Sequence, residues 1–426
     1  MNEPEIESGQ RVTPLELFFD LVFVFAITQV TGFLADDPTA GGLFRGLLLL
    51  AALWWAWAAY AWLTNTLNPE EGVVRLAVFA AIGAMLIVAL ATPEAFGTEG
   101  VVFGIAYFAV RALHLVLYAI AGKGDPELLG AVLRITPTAI AGPLMLVVAG
   151  FLDGAAQIAL WVAALAIDYL GALVGRARGW RVSPEHFVER HGLVVIIALG
   201  ESVVAIGIGA AGQPLDAGTI IAALLGITVI ATLWWSYFDW VSFMVLARLE
   251  EASGTERAAL ARDLYSYLHL PMVAGIVLFA FGLKTTIAHV SEPLLAIPAV
   301  GLCGGLALYF LAHVATRVRI GGGLGRGRPI ATIVLIGLTP VATVVPALAA
   351  LALVTAVCVA LIAYEALRYR YARTWIRSRR GHFTLDEARN LGRMGGGAVV
   401  PSAEPRIGSR GEELGEVVGQ DEIVEK

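Results

Sequence analysis

Lysine is nearly missing from this chain: three residues (Lys123, Lys284 and Lys426) stand among 29 basic ones. Charge as a whole is scarce. Charged residues make up 15% of the sequence, where a soluble domain carries about 25%. Cysteine occurs twice, as Cys303 and Cys358, each inside an apolar block. Two such thiols support neither a disulfide framework nor a structural zinc site. No Walker A sequence, HExxH or paired CxxC is present, so the common nucleotide, metalloprotease and thiol-redox signatures are excluded. The seven histidines never fall at i, i+4 within one apolar block, and a membrane metallohydrolase is not expected. The glycine-rich run GGGLGRGRP from Gly321 follows no strand pattern, so it is not read as a phosphate-binding P-loop. The N-terminal MNEPEIESGQRVTP is acidic and lacks an apolar h-region. The first hydrophobic segment is therefore expected to be an anchor itself, not a cleaved signal.

Apolar residues, by contrast, are abundant. They make up 58% of the chain, mean hydropathy is +0.77, and they arrive in long blocks divided by short polar loops. A soluble chain of 426 residues would split into domains with polar exteriors; here lipid is the simplest solvent. The blocks predict an all-α integral membrane protein with about twelve transmembrane helices. The first half has spans near Leu15–Leu34, Leu43–Leu63, Val73–Ala91, Val101–Ala121, Leu129–Phe151 and Gly154–Gly175. Those of the second half lie near Pro184–Gly209, Ala217–Ala247, Leu260–Leu283, Leu294–Thr316, Pro329–Val341 and Val345–Tyr369. Pro340 and Pro346 interrupt the eleventh block and predict a short, kinked or re-entrant segment. Counting Arg and Lys in alternate loops gives fourteen on one side against two on the other. That bias predicts both termini in the cytoplasm. Net charge is −6, and because the charges are partitioned by loop its sign says little about partners. Past Tyr369 a basic stretch is expected to meet the lipid headgroups, followed by a disordered tail.

The two halves resemble each other. Thr13-Pro14 and Ser183-Pro184 each set a hydroxyl residue before a proline at a helix start. LVFVFAITQV from Leu21 lines up with LVVIIALGES from Leu193, matching Gln29 to Glu201. LWWAWAAYAW from Leu53 parallels LWWSYFDW from Leu233, and Tyr107-Phe108 parallels Tyr309-Phe310. An even number of spans per half predicts two parallel six-helix repeats about an axis along the membrane normal, with a site where they meet. The divisions expected are a tail at 1–14, a first repeat at 15–180, a second at 181–372 and a further tail at 373–426.

Ionisable groups within apolar spans are costly and face a bundle interior or water. Glu201 stands out, about 25 Å into its helix by the rise per residue, with Gly200, Gly207 and Gly209 allowing close approach of a neighbour. A carboxyl in such surroundings can exchange a proton; the structural alternative is a carboxylate locked to Arg111. Asp20 and Glu16 share one face of the first helix at i, i−4. They form either a cytoplasmic vestibule for cations or an anchor for an arginine of an inner loop. Glu201, Asp20, Gln29 and Glu16 are thus the expected transport pathway. Arg111 and His114, at i, i+3 on the fourth helix, require a carboxylate partner from among Asp20, Asp168 and Glu201. With Asp168 and Asp239 they form a predicted buried ion-pair or proton relay. Glu189, Arg190 and His191 open the seventh helix and are read as the cytoplasmic mouth of the path or as a charge cluster that orients the helix. The tryptophans of the second and eighth helices are read as packing and interface anchors. No metal site and no cofactor are predicted.

ELFFDLVFVFAI from Glu16 and ERHGLVVIIALGES from Glu189 resemble the two signature helices of the bacterial low-temperature-requirement protein A family. The likeness covers nearly the whole chain up to the tail and implies a multi-spanning membrane protein associated by name with growth in the cold. FFDLVFVFAIT also resembles the first-helix motif of lysosomal-type potassium channels, with Phe19 and Leu21 replacing that motif's serine and glycine. In the second repeat the motif is lost, reading Arg190-His191-Gly192. That likeness implies helices one and seven lining a path beside Asp20, Gln29 and Glu201.

The function expected is a secondary transporter or channel for a small cation, proton-coupled or proton-conducting. The rivals are a membrane enzyme or redox protein using His114, His269 and His313, and a non-transporting protein of cold adaptation. Expected partners are the lipid bilayer, a small cation or proton and further copies of the chain, with no nucleic acid.

Overall fold

In the computed structural model, residues 12–175, 177–370, 374, 375 and 387 are described; the predicted tail after 373 lies almost wholly outside them. Helices account for nearly all of this. The first six are α1 (Pro14–Asp36), α2 (Ala40–Thr64), α3 (Gly72–Ala91), α4 (Gly100–Ala121), α5 (Pro126–Ala149) and α6 (Gly154–Val174). They continue as α7 (Pro184–Ala210), α8 (Ala217–Glu251), α9 (Gly254–Ala288), α10 (Ala296–Arg319), α11 (Gly327–Ala342) and α12 (Ala347–Arg368). Eleven are long and apolar enough to cross a membrane; α11, at 16 residues, is the short one. The expected break at its proline-flanked end is present. α11 stops at Ala342, Pro346 caps α12, and the turn between them bonds to the α9–α10 loop through Leu294 N–H to Ala342 O at 3.1 Å and Ala347 N–H to Glu292 O at 2.8 Å.

Local chemistry explains most helix starts. Thr13 and Glu16 form a reciprocal capping box ahead of Pro14. Thr39, Asp125 and Asp216 cap α2, α5 and α8 by accepting from backbone N–H groups. Ser183 occupies the matching position before α7, but its hydroxyl makes no capping bond. Its backbone instead pairs with the Asn65 side chain, N–H to Oδ1 at 2.9 Å and O from Nδ2 at 3.3 Å.

Large apolar side chains cover the outside of the bundle, among them Leu133, Leu224 and Ile333. Such a surface is solvated by acyl chains, and with the apolar span lengths it makes this a multi-pass membrane protein. In the first half α1 packs on α2 and α3, α3 on α4, α4 on α5, α5 on α6, and α6 returns to α2. In the second half α7 packs on α8 and α9, α9 on α10, α10 on α11, α11 on α12, and α12 returns to α8. The halves meet through α1 and α2 on one side and α7 and α9 on the other. Three second-half helices contain a π-helical turn, at Tyr237–Val241, Arg262–Tyr267 and Val300–Gly304, a feature that often re-aims side chains at functional positions.

Glycine lets α9 and α10 touch backbone to backbone. A Cβ on Gly275 would stand 2.5 Å from Gly305 O, and one on Gly282 would stand 2.3 Å from Leu302 N. Gly282→Ala is therefore expected to lower the melting temperature of detergent-purified protein measurably, by overpacking worth about 1–3 kcal/mol. Gly337→Ala, where a Cβ meets nothing within 4 Å, should leave it near the wild-type value.

Candidate functional site

The densest polar group in the bundle sits where α1 meets α7, one to two turns from their N-terminal ends. Arg190 is its centre. Its Nη1 bonds to Asp20 Oδ2 and, at 3.1 Å, to the Glu16 backbone carbonyl, while Nε lies 3.4 Å from Glu16 Oε1. The guanidinium also rests 5.6 Å from the centre of the Trp57 ring, and Trp57 Nε1–H donates to Asp20 Oδ1 at 2.8 Å. His186, one turn earlier on α7, reaches Glu16 Oε1 at 3.2 Å through Nε2. Glu16, Asp20, His186 and Arg190 are all no more than 2% exposed.

The histidine's tautomer follows from its neighbours. Ser183 N–H donates to Asn65 Oδ1, which turns the amide nitrogen towards His186 Nδ1 at 3.1 Å. Nδ1 must then accept, so Nε2 carries the hydrogen and donates it to Glu16. The cluster sets two carboxylates beside one guanidinium.

Glu201 is placed farther along the same joint, eleven residues and roughly 16 Å from Arg190 along α7. It is 1% exposed. Thr28 of α1 donates its hydroxyl to Oε2, Thr31 lies alongside, and the Lys284 ammonium of α9 is within electrostatic reach. Oε1 has no hydrogen-bond partner among the described residues. Arg111, which the sequence offered three carboxylates, pairs with neither Glu201 nor Asp20 but with Asp168 of α6, Nη2 to Oδ1 at 3.0 Å. His114 follows on the same face of α4, edge-on to Tyr118 at 4.8 Å. These four residues and the indoles of Trp55, Trp62 and Trp180 border a cavity of about 90 Å³.

A belt of histidine and tyrosine lies on the inner faces of α7 to α10. His191, His269 and His313 are buried, and each has Nδ1 within 2.9 Å of a carbonyl of its own helix: Phe187, Leu264 and Tyr309. Nδ1–H is the donor in each case, leaving Nε2 free to accept. For His269 the acceptor is used, by Tyr237 OH at 2.9 Å. The π-helical turns at Tyr237 and before His269 supply this pairing, since Leu264 O is five residues upstream of His269.

The sequence-predicted residues thus divide. Glu16, Asp20 and Arg190 come together, as do Arg111, His114 and Asp168. Glu189 is exposed, and its carboxylate accepts from Val12 N–H at 3.3 Å, while Arg190 faces α1 and His191 faces Trp57 and Tyr265. Gln29 is half-buried in α1 and Asp239 is buried in the π-helical turn of α8. Trp54 and Trp57 are fully buried at the joint, Trp54 donating to Ser266 O at 2.8 Å; Trp234 and Trp235 are exposed on the outer surface of α8. Sequence reasoning passed over Thr28, Trp57, Asn65, His186 and Tyr237. Of these only His186, one turn before Arg190 in EHFVERH, carried a visible signal.

Removing one member of a buried ion pair costs more than replacing both, about 3–5 kcal/mol. Arg190→Gln is expected to destabilise the purified protein by that order. The double variant Asp20→Asn/Arg190→Gln should recover part of the loss in thermal unfolding. Equal melting temperatures for the single variant and the wild type would contradict the described geometry.

Residues 11–363 match the family described as bacterial low temperature requirement A protein (LtrA). An uncharacterized protein of Rhizobium meliloti (strain 1021) is 33% identical over 288 residues, covering 64% of this chain and 69% of the relative. The match takes in α1 with its Glu16 and Asp20, α7 with Arg190 and Glu201, and every helix up to the greater part of α12. The chain belongs to the bacterial low temperature requirement A family.

Proposed function

We propose that this protein moves a small cation across the bacterial inner membrane, coupled to protons or conducting them, with Glu201 as the group that takes up and releases the proton. One observation carries the reading: Glu201 is buried in the membrane-spanning part of α7, held to α1 by the Thr28 hydroxyl with Thr31 alongside, and its Oε1 has no hydrogen-bond partner among the described residues. A carboxyl so placed is satisfied by a proton when empty and by a cation when charged. Competition between the two is the elementary event of proton-coupled exchange.

Three features support it. Packing order runs the same way through α1–α6 and α7–α12, as two parallel repeats would, and Glu201 sits at the joint where such repeats place substrates. Tyr107 OH of α4 bonds to Ala52 O of α2, and Tyr309 OH of α10 to Leu233 O of α8, so the matching Tyr-Phe pairs make matching contacts. The second carboxylate of the Arg190 cluster and the His269–Tyr237 pair supply further groups that can hold or pass a proton. With the arginine-rich loops in the cytoplasm, Arg190 marks the inner end of the route and Glu201 the outer half.

Proton and potassium flux into liposomes bearing purified protein tests this directly. Glu201→Gln keeps shape and hydrogen bonding while removing the titration, and should cut flux by on the order of a hundredfold. Thr28→Val should alter flux less. Wild-type flux with unchanged pH dependence in Glu201→Gln would refute the assignment.

A further inference from the structure

The end of the bundle that carries the arginine-rich loops holds a cleft remote from the α1–α7 joint. It lies between α8, α10, α11 and α12, has a volume of about 330 Å³, and is closed on one side by the glycine-rich turn Gly321–Gly327. Its rim is strongly cationic. Arg317, Arg326 and Arg368 border it, all exposed, and none has a carboxylate partner among the described residues. Several other arginines at this end are paired with carboxylates, Arg181 with Asp125, Arg248 with Glu256, and Arg262 and Arg319 with Asp263, and Arg134 and Arg257 donate to backbone carbonyls. Arg328 borders the cleft too, held by Glu365 at 2.9 Å and 3.2 Å and donating to Ser236 O. Among the described residues, four guanidiniums thus border the cleft with one carboxylate.

The floor is built from buried groups with spare bonding capacity. His313 and Thr316, one turn apart on α10, are each 1% exposed and line the cleft. His313 spends Nδ1–H on Tyr309 O, and among the described residues neither its Nε2 nor Thr316 Oγ1 has a partner. Buried polar atoms in native proteins are almost always satisfied, so two on one floor beneath uncompensated guanidiniums mark a place shaped for a ligand. The N-terminus of α11 adds backbone N–H groups with no side-chain cap.

We infer that this cleft binds a phosphate group, with Arg317, Arg326 and Arg368 holding its oxygens and His313 and Thr316 completing its hydrogen bonds from below. A tetrahedral phosphate offers acceptors in several directions and matches the forked donors of guanidinium. A carboxylate would leave part of the set idle. Nε2 of His313 accepts from the hydroxyl of a monobasic phosphate or, once protonated, donates to the dianion. The volume exceeds that of phosphate alone and leaves room for an ester substituent. The chemistry is shared by a soluble phosphate compound and by an anionic phospholipid headgroup, and the depth of the cleft at the end of the helices is within reach of both. This site stands independently of the transport reading.

Thermal unfolding of the full-length protein tests it. Inorganic phosphate at millimolar concentration is compared with chloride at equal ionic strength. In parallel, nanodiscs of phosphatidylcholine are compared with and without phosphatidylglycerol. The expected result is a rise in melting temperature in at least one arm, with an apparent affinity that falls by about tenfold or more in Arg317→Gln/Arg326→Gln. Arg368→Gln should weaken it as well, and Arg75→Gln, away from the cleft, should leave it intact. Arg317 and Arg326 are exposed and have no carboxylate partner among the described residues, so the double variant should fold as the wild type does. A shift with phosphate assigns a soluble phosphate compound, and a shift with phosphatidylglycerol alone assigns the headgroup. No shift in either arm, or a full shift retained by the double variant, overturns the site.

Discussion

A guanidinium buried in lipid-embedded protein must find its counter-charges within the protein, and Arg190 finds both of its own on one neighbouring helix. That constraint orders much of the bundle. Glu16 and Asp20 fix the rotation of α1, since they must share the face turned to α7. Trp57 then fixes α2, because its indole both donates to Asp20 and lies over the guanidinium. Asn65 carries the same logic to the start of α7, pinning the loop backbone and the tautomer of His186 at once. The halves of the molecule are consequently joined by an ion cluster at one end and elsewhere by aromatic packing and hydrogen bonds such as Trp54 to Ser266 and Thr28 to Glu201.

Such a knot is a poor source of raw stability, because desolvating the ions offsets most of their attraction. Its value is uniqueness. A slip of α1 by one residue would turn both carboxylates away from Arg190 and bury three unpaired charges. Apolar helices in lipid lack the hydrophobic force that sorts soluble cores, and interhelical hydrogen bonds take over part of that role. The Arg111–Asp168 pair within the first half and Arg328–Glu365 within the second set α4 against α6 and α11 against α12 in the same way.

Helix positions were legible in the sequence because lipid demands long apolar runs and these are divided by short polar loops. Even the short α11 announced itself through Pro340 and Pro346. The candidate site was only half legible. Spacing along one helix predicts which residues share a face, as for Glu16 with Asp20, but it does not choose partners on another helix. Arg111 therefore had three candidate carboxylates, and the pairing of Arg190 with Asp20 stayed hidden. The π-helical turns were invisible because a single extra residue in a turn is set by tertiary packing and leaves no mark on hydropathy. The cationic cleft escaped for a related reason. The glycine-rich turn resembles no phosphate loop, and the floor comes from His313 and Thr316 on the preceding helix.

The position of Arg190 also has a mechanical meaning. Because its bonds tie α1 to α7 near one end, the joint is stiff there and compliant beyond, and Glu201 sits on a lever arm of roughly 16 Å. Tilting the halves by about 5° around the tie shifts Glu201 relative to Thr28 by on the order of 1 Å, which is enough to open a hydrogen bond. The ion cluster scarcely moves in the same rotation. A fulcrum of fixed charge would thus turn a small tilt of α1 against α7 into a make-or-break contact at Glu201.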